Sequence, residues 1–307
     1  MPLDADALID RRRLKRQLAV WRVIGVVALV ALGAVAIGRA TGLDHRPHVA
    51  RLVVNGLIGE DSAREQTLEK LIKDDKAKAL IVQINSPGGT TAGSEALYAQ
   101  LRRVSEKKPV VATIGTLGAS GGYIVALAAD RIIARESSLT GSIGVMMQTA
   151  EFSGMMEKLG VTAEALTTGR LKGEPSMTRP LSPEGRAALN ELIQDSYRWF
   201  VGLVQKRRGM ALEEAERLAD GRVFTGRQAI ANKLVDALGG EREARQWLAA
   251  ERQVAESLPV FELKVEKEDQ SWLRASASEA FEAFGKALIP ERLTLDGLLA
   301  LWHPPGS

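Results

Sequence analysis

The apolar positions of this chain change period along its length. Residues 18–38, LAVWRVIGVVALVALGAVAIG, form a nearly unbroken apolar run in which Arg22 is the single charge. From His48 onward short branched runs alternate with amphipathic stretches. HVARLVVNGLIG (His48–Gly59), ALIVQIN (Ala79–Asn85) and PVVATI (Pro109–Ile114) read as strands, as do the shorter RIIA (Arg131–Ala134), GSIGVMM (Gly141–Met147) and VTAEAL (Val161–Leu166). Between them, residues 63–78 read as a polar amphipathic helix, SPGGTTAGSEALYAQLRRVSEKK (Ser86–Lys108) as a glycine turn feeding a helix, and GMMEKLG (Gly154–Gly160) as a short helix. Strands alternating with helices predict a mostly parallel sheet with helices on its faces. From Ser182 the pattern turns helical. SPEGR places a serine cap, Pro183 and Glu184 at a helix start, and Leu189, Leu192, Ile193, Phe200 and Leu203 follow at helical spacing up to Gly209.

This pattern divides the chain into a basic N-terminus (1–17), an apolar span (18–38), a linker (39–47), a sheet-and-helix domain (48–250) and a tail (251–307). The span has about the 20 residues needed to cross a bilayer as a helix. Arg11–Arg16, RRRLKR, lies just before it and predicts a cytoplasmic N-terminus, with the domain on the outer side of a cytoplasmic membrane. The alternative is a cleaved signal peptide, for which the run is long. In the tail, Ala280, Phe281, Phe284 and Leu288 fall on one helical face, as do Leu295, Leu298, Leu299 and Trp302. Such helices dock on their own chain, on a sister subunit or on a membrane surface.

Composition narrows the chemistry. The 307 residues carry a net charge of +3 with a pI of 9.1, and no basic run is interleaved with aromatics, so nucleic acid is not an expected partner. There is no cysteine, which removes disulfides, thiol catalysis and thiolate metal sites. Histidine occurs only at His45, His48 and His303.

Four stretches are candidates for chemistry. In TLGASGGY, Ser120 lies between a strand and a helix among Gly118, Gly121 and Gly122; it reads as a nucleophile on a sharp turn, or as an ordinary serine N-cap. In INSPGG, Gly88 and Gly89 bare backbone amides that can face a developing oxyanion, joined by the amide of Gly121; the alternative is a plain strand-to-helix turn. In TTGRLKGEPS, Lys172 becomes a general base only where burial keeps it neutral; the alternative is a solvated loop lysine. In LTGSIGV, Ser142 either hydrogen-bonds that amine or simply begins a strand.

Taken in order, INSPGG, GASGGY, TGSIGV, TGRLK, RPLSPEGR and GRVFTGRQAIANKLVDALGG resemble the S49 serine peptidases, the signal peptide peptidases of the protease IV type. The resemblance runs from about Arg51 to Gly240 and matches the short, single-repeat form. It implies a ClpP/crotonase-like α/β fold of repeated strand-strand-helix units, preceded by one transmembrane helix. It implies a Ser–Lys dyad without metal or cofactor, with Ser120 as nucleophile, Lys172 as base, Ser142 orienting the lysine, and Gly88, Gly89 and Gly121 around the oxyanion. It also implies homo-oligomers sharing sites between subunits, and signal peptide remnants in the membrane as substrates. The loop departs from the family pattern after Lys172, where Gly173 stands in place of an acidic residue. A ClpP-type Ser–His–Asp protease, a catalytically silent scaffold and a crotonase are the competing readings. The histidine positions speak against the first.

Overall fold

The computed structural model describes residues 17, 20–33, 46–265 and 299–301. The chain divides into two compact units, Met1–Arg46 and Pro47–Ser307. In the first, residues 20–33 are helical (α1) and their side chains are largely exposed. Among the described residues no helix is long and apolar enough to cross a membrane. The basic flank, the rest of the 18–38 span and most of the linker lie outside the described residues.

The second unit opens as a β-α-β-α-β series: β1 (His48–Ile58), α2 (Ser62–Lys73), β2 (Ala77–Thr90), α3 (Thr91–Ser105) and β3 (Val110–Ala119). Then come α4 (Gly121–Ala126), β4 (Arg131–Ala134), β5 (Leu139–Gly141), α5 (Ser153–Lys158), α6 (Pro183–Arg208), α7 (Leu212–Leu218), β6 (Val223–Thr225), α8 (Gly226–Ala231), β7 (Ala237–Leu238), α9 (Glu241–Arg252), β8 (Val260–Glu262) and β9 (Leu299–Leu301). They build one sheet with the order β6-β5-β3-β2-β1-β8, to which β4, β7 and β9 attach. Strands β1, β2, β3 and β4 are parallel, so each connection must cross over the sheet, and the helices serve as those crossovers.

Period-two alternation sends successive side chains to opposite faces. Leu80, Val82 and Ile84 face one way, onto Leu68 and Leu71 of α2 and Leu97, Leu101 and Val104 of α3. Ala79 and Ile81 face the other way, with Val49, Val111 and Ile133, onto Ala244 and Leu248 of α9. A sheet covered on both faces explains why these strands are apolar throughout rather than half polar. Helix α6 starts as its sequence dictates: Ser182 Oγ accepts from Gly185 N at 2.9 Å, Pro183 fills the first turn, and Gly209 closes the helix at φ 61°.

The sheet breaks at one level, and that break positions the site. β2 slips register against β1 between Asn55 and Leu57, and against β3 between Ile84 and Ser86. Beyond the slip β3 exchanges β4 (Ile114↔Ala134) for β5 (Leu117↔Leu139) as its neighbour. Side chains satisfy the backbone groups the slip frees. Asn85 Oδ1 accepts from Leu117 N (3.2 Å), Ser138 Oγ donates to Gly115 O (2.5 Å) and Ser86 Oγ donates to Gly56 O (2.6 Å). Pro87 falls inside the slip and has no partner in either register, so its missing N–H forfeits no ladder bond.

Four sequence expectations are revised. SPGGT extends β2 instead of forming a turn. VTAEAL is an exposed, non-regular segment rather than a strand, and GSIGVMM is a strand only through Gly141, because Ser142 turns at φ 49°. The expected helical tail contains, where it is described, two short strands, β8 on β1 and β9 on β2. The remainder of that tail lies outside the described residues.

Candidate active site

Ser120 joins β3 to α4 with φ 54° and ψ −119°, a conformation L-residues rarely adopt. Both sides of the turn are pinned. Ser120 N donates to Gly141 O at 2.8 Å, and Ser120 O accepts from Tyr123 N (2.9 Å) and Ile124 N (3.0 Å). Helix α4 is held in turn by Tyr123, fully buried, whose hydroxyl donates to Leu234 O at 2.7 Å; burial pushes this phenol well above its ordinary pKa. The side chain of Ser120 makes no capping bond, so the N-cap reading fails. Its Oγ is buried and has no hydrogen-bond partner among the described residues, although the residue is only 1% exposed. Such an unpaired hydroxyl, held on a strained turn, is a costly arrangement that cores do not keep for packing alone.

The glycines around Ser120 are close-approach positions. A β-carbon on Gly121 would collide with Ser94 Oγ and stand 3.1 Å from both Gly88 Cα and Gly89 N. A β-carbon on Gly122 would stand 2.8 Å from Ser86 O, and one on Gly89 would collide with the backbone of Ile58. The Gly88–Gly89 strand end therefore lies directly against the turn that carries Ser120. Gly88 needs its φ of 108° to make that passage. Its N–H is already engaged, donating to Ser86 Oγ at 3.1 Å. Gly121, as the first residue of α4, has no carbonyl within its own helix to bond.

Ser142 joins this cluster through the backbone. Its neighbour Gly141 accepts from Ser120 N, and its own N–H donates to Arg222 O at 2.8 Å. Like Ser120 it is buried and has a positive φ. A groove bordered by Gly144, Val145, Tyr197 and Gly221 opens beside it.

Lys172 differs from these buried residues. It sits in an exposed turn, where its N–H donates to Gly169 O at 3.1 Å, and its amine makes no hydrogen bond with Ser120. The segment carrying it presents large apolar side chains to solvent: Met155, Leu159, Val161, Leu171 and above all Leu166, 92% exposed. Within one chain, then, Ser120, Ser142, Gly88, Gly89 and Gly121 converge, while Lys172 is exposed and its amine makes no hydrogen bond with Ser120.

The histidines supply no base in the described structure. His48 starts β1, stacking on Phe261 and pairing with Asp74 at 3.8 Å. Leu57, not His48, is level with Gly88 in register, which puts His48 on the order of 30 Å from the site at about 3.3 Å per residue. His45 and His303 lie outside the described residues.

Ser94 escaped the sequence reading. It is buried on α3, its Oγ has no partner among the described residues, and it abuts Gly121. The signal was available: Ser94, Leu97, Leu101 and Val104 fall on one helical face, so a hydroxyl there had to be buried.

Comparison with known proteins now bears on this geometry. Residues 102–255 match the model of peptidase family S49. A protein of Synechocystis sp., provisionally named a protease, is 41% identical over 206 residues, covering 66% of this chain and 74% of that one. A protein of Enterococcus faecium, provisionally named signal peptide peptidase SppA, is 34% identical over 68% of this chain and 65% of its own length. Protease 4 of Salmonella typhi is 37% identical over 185 residues, and the chain spans 30% of its length. Among solved structures, a point mutant of ClpP1 from Listeria monocytogenes covers 63% of this chain and 92% of its own at 15% identity and a TM-score of 0.42. By the extent of the family match and of the Synechocystis alignment, this chain belongs to peptidase family S49.

Proposed function

We propose that the protein is a serine endopeptidase with a Ser–Lys dyad, assembled from more than one copy of the chain. The observation that carries this reading is the turn at Ser120: a buried hydroxyl without a partner among the described residues, on strained backbone, against the Gly88–Gly89 strand end. Ser120 Oγ attacks a peptide carbonyl as the neutral Lys172 amine takes its proton. The oxyanion is held by the N–H groups of Gly89 and Gly121, since that of Gly88 is already bonded to Ser86. Lys172 then protonates the leaving amine, and water resolves the acyl-enzyme. Ser142 orients the lysine.

The exposed position of Lys172 supports a shared site. An isolated lysine in water is charged and cannot act as a base. Docking of the apolar segment around Leu166 onto a neighbouring copy desolvates it and delivers it to that copy's Ser120. The sheet is read as ClpP/crotonase-like, in keeping with the family. Residues 18–38 are read as a membrane anchor, with the domain on the outer side. Linker residues 39–47 reach about 30 Å when extended, which tethers the domain to the bilayer. Signal peptide remnants are the proposed substrates, in line with the name of the Enterococcus relative, and misfolded membrane proteins are further candidates.

The test is hydrolysis of a leucine-rich peptide by the detergent-solubilised protein. Ser120→Ala and Lys172→Ala should each lower kcat by at least about 100-fold. Full activity in the lysine variant would sink the dyad.

A further inference from the structure

Residues 161–173 are exposed without exception, and the next residue, Glu174, is not: its side chain is 6% exposed. The usual order is thereby inverted, with Leu166 and Leu171 in solvent and a carboxylate below the surface. That carboxylate has a defined seat. Its Oε1 stands 3.7 Å from Arg179 Nη2, while Oε2 is buried with no hydrogen-bond partner among the described residues. A β-carbon on Gly185 would stand 2.9 Å from Glu174 Cγ and Cδ, so the carboxylate rests on the first turn of α6, where the helix dipole favours negative charge. Helix α6 is itself fixed, since Phe200, Val201 and Val204 lie in the core. The chain between this seat and the lysine is short and bonded: Lys172 N donates to Gly169 O at 3.1 Å, and Glu174 N to Leu171 O at 3.2 Å. Two residues span at most about 7 Å, so whatever holds Glu174 also holds the backbone of Lys172.

Burying a charge is costly unless it is paired and hydrogen-bonded, and this one is paired only loosely. A loop that merely linked two elements would leave its glutamate in water. We infer that Glu174 is a positioning residue: its carboxylate latches the Lys172 loop to the first turn of α6 and so sets where the lysine is presented. The inference rests on the peptidase reading, which gives Lys172 its role as base. Glu174 then acts on the geometry of proton transfer and not on peptide binding. A reacting group displaced by about 1 Å can cost about 100-fold in rate, so loss of the latch lowers kcat and leaves KM in place. Gly185 belongs to the same device, because only a residue without a β-carbon leaves room for the carboxylate.

Two variants of the full-length, detergent-solubilised protein break the latch in different ways. Glu174→Ala removes the carboxylate, and Gly185→Ala keeps it but fills its seat. Each should lower kcat for a leucine-rich peptide about 10- to 100-fold at unchanged KM. Co-assembled with Lys172→Ala chains, Glu174→Ala should stay slow, since neither chain then presents a well-placed lysine. A second readout needs no turnover: in a Ser120→Ala background, trypsin should cut after Arg170 and Lys172 about ten-fold faster once Glu174→Ala is added. An unchanged cleavage rate overturns the latch whatever the activity. If the parent hydrolyses peptide and both variants keep its kcat, or if Lys172→Ala chains rescue Glu174→Ala, the inference fails alone. If the parent hydrolyses nothing while tryptic cleavage accelerates as expected, the latch stands and the peptidase reading fails.

Discussion

Substituting Gly121 by alanine tests the geometry of the site most sharply, because the neighbours of the added methyl differ in kind. Ser94 Oγ, which it would strike, is a small side chain that a second mutation can remove. Gly88 Cα and Gly89 N, each 3.1 Å from the new carbon, are backbone and cannot be removed. Overpacking of this kind costs about 1–3 kcal/mol. At roughly 2–4 °C per kcal/mol for a domain of this size, Gly121→Ala should melt about 2–12 °C lower. The same displacement pushes Gly89 N from its proposed oxyanion position, so kcat should fall by about 100-fold or more. Ser94→Ala alone should be neutral or stabilising, because it deletes a buried hydroxyl without a partner among the described residues. In the double variant the lost oxygen makes room, and a coupling of about 0.5–3 kcal/mol should recover much of the stability. Activity should stay low, because the backbone contacts remain. Thermal melts and peptide hydrolysis on the four proteins read both quantities. A Gly121→Ala protein that melts and turns over like the parent refutes the packing, and a double variant that recovers full activity refutes the role given to Gly88–Gly89.

Further outcomes follow from the supports around the site. Tyr123→Phe removes the hydroxyl bound to Leu234 O at 2.7 Å and strands a buried carbonyl; chemical denaturation should show a loss of about 1–3 kcal/mol. Glu243 caps α9 by accepting from Gly240 N at 2.7 Å, and that bond, with Arg242 beside it, holds its carboxyl down to about 2. A depressed carboxylate stabilises the fold above its unfolded pKa, about 4.5, and the benefit fades as pH falls toward 2. Melting curves of Glu243→Gln against the parent should therefore differ most near neutral pH and converge in acid. An unchanged difference at pH 2 would contradict the cap.

The sequence announced what is decided locally. The entry to α6 was legible because Ser182 and Pro183 settle it within one turn, and its exit because Gly209 can adopt a positive φ. Buried strands β1, β2 and β3 announced themselves by branched residues, and the sharp turn at Ser120 by its glycines. What was missed depends on distant partners. Gly88–Gly89 looked like a turn, yet it is strand because Ile58 lies alongside and the register slip accommodates Pro87. β8 and β9 are too short to show a period and exist only through β1 and β2. VTAEAL alternates like a strand but pairs with no sheet among the described residues and is exposed. Lys172 is exposed too: its motif was readable, while among the described residues its amine makes no hydrogen bond with Ser120, and only the proposed assembly would bring the two together.

The proposed sharing of the site between copies can be measured by mixing subunits. Ser120→Ala and Lys172→Ala proteins, each inactive alone, are co-assembled in detergent and treated with a serine-directed fluorophosphonate probe, and the labelled residue is located by mass spectrometry. The account predicts that labelling and peptide hydrolysis reappear only in the mixture, with the probe on Ser120 of the Lys172→Ala chains. A Lys172→Ala protein that labels fully by itself, or a mixture that stays silent while the parent labels, would contradict it.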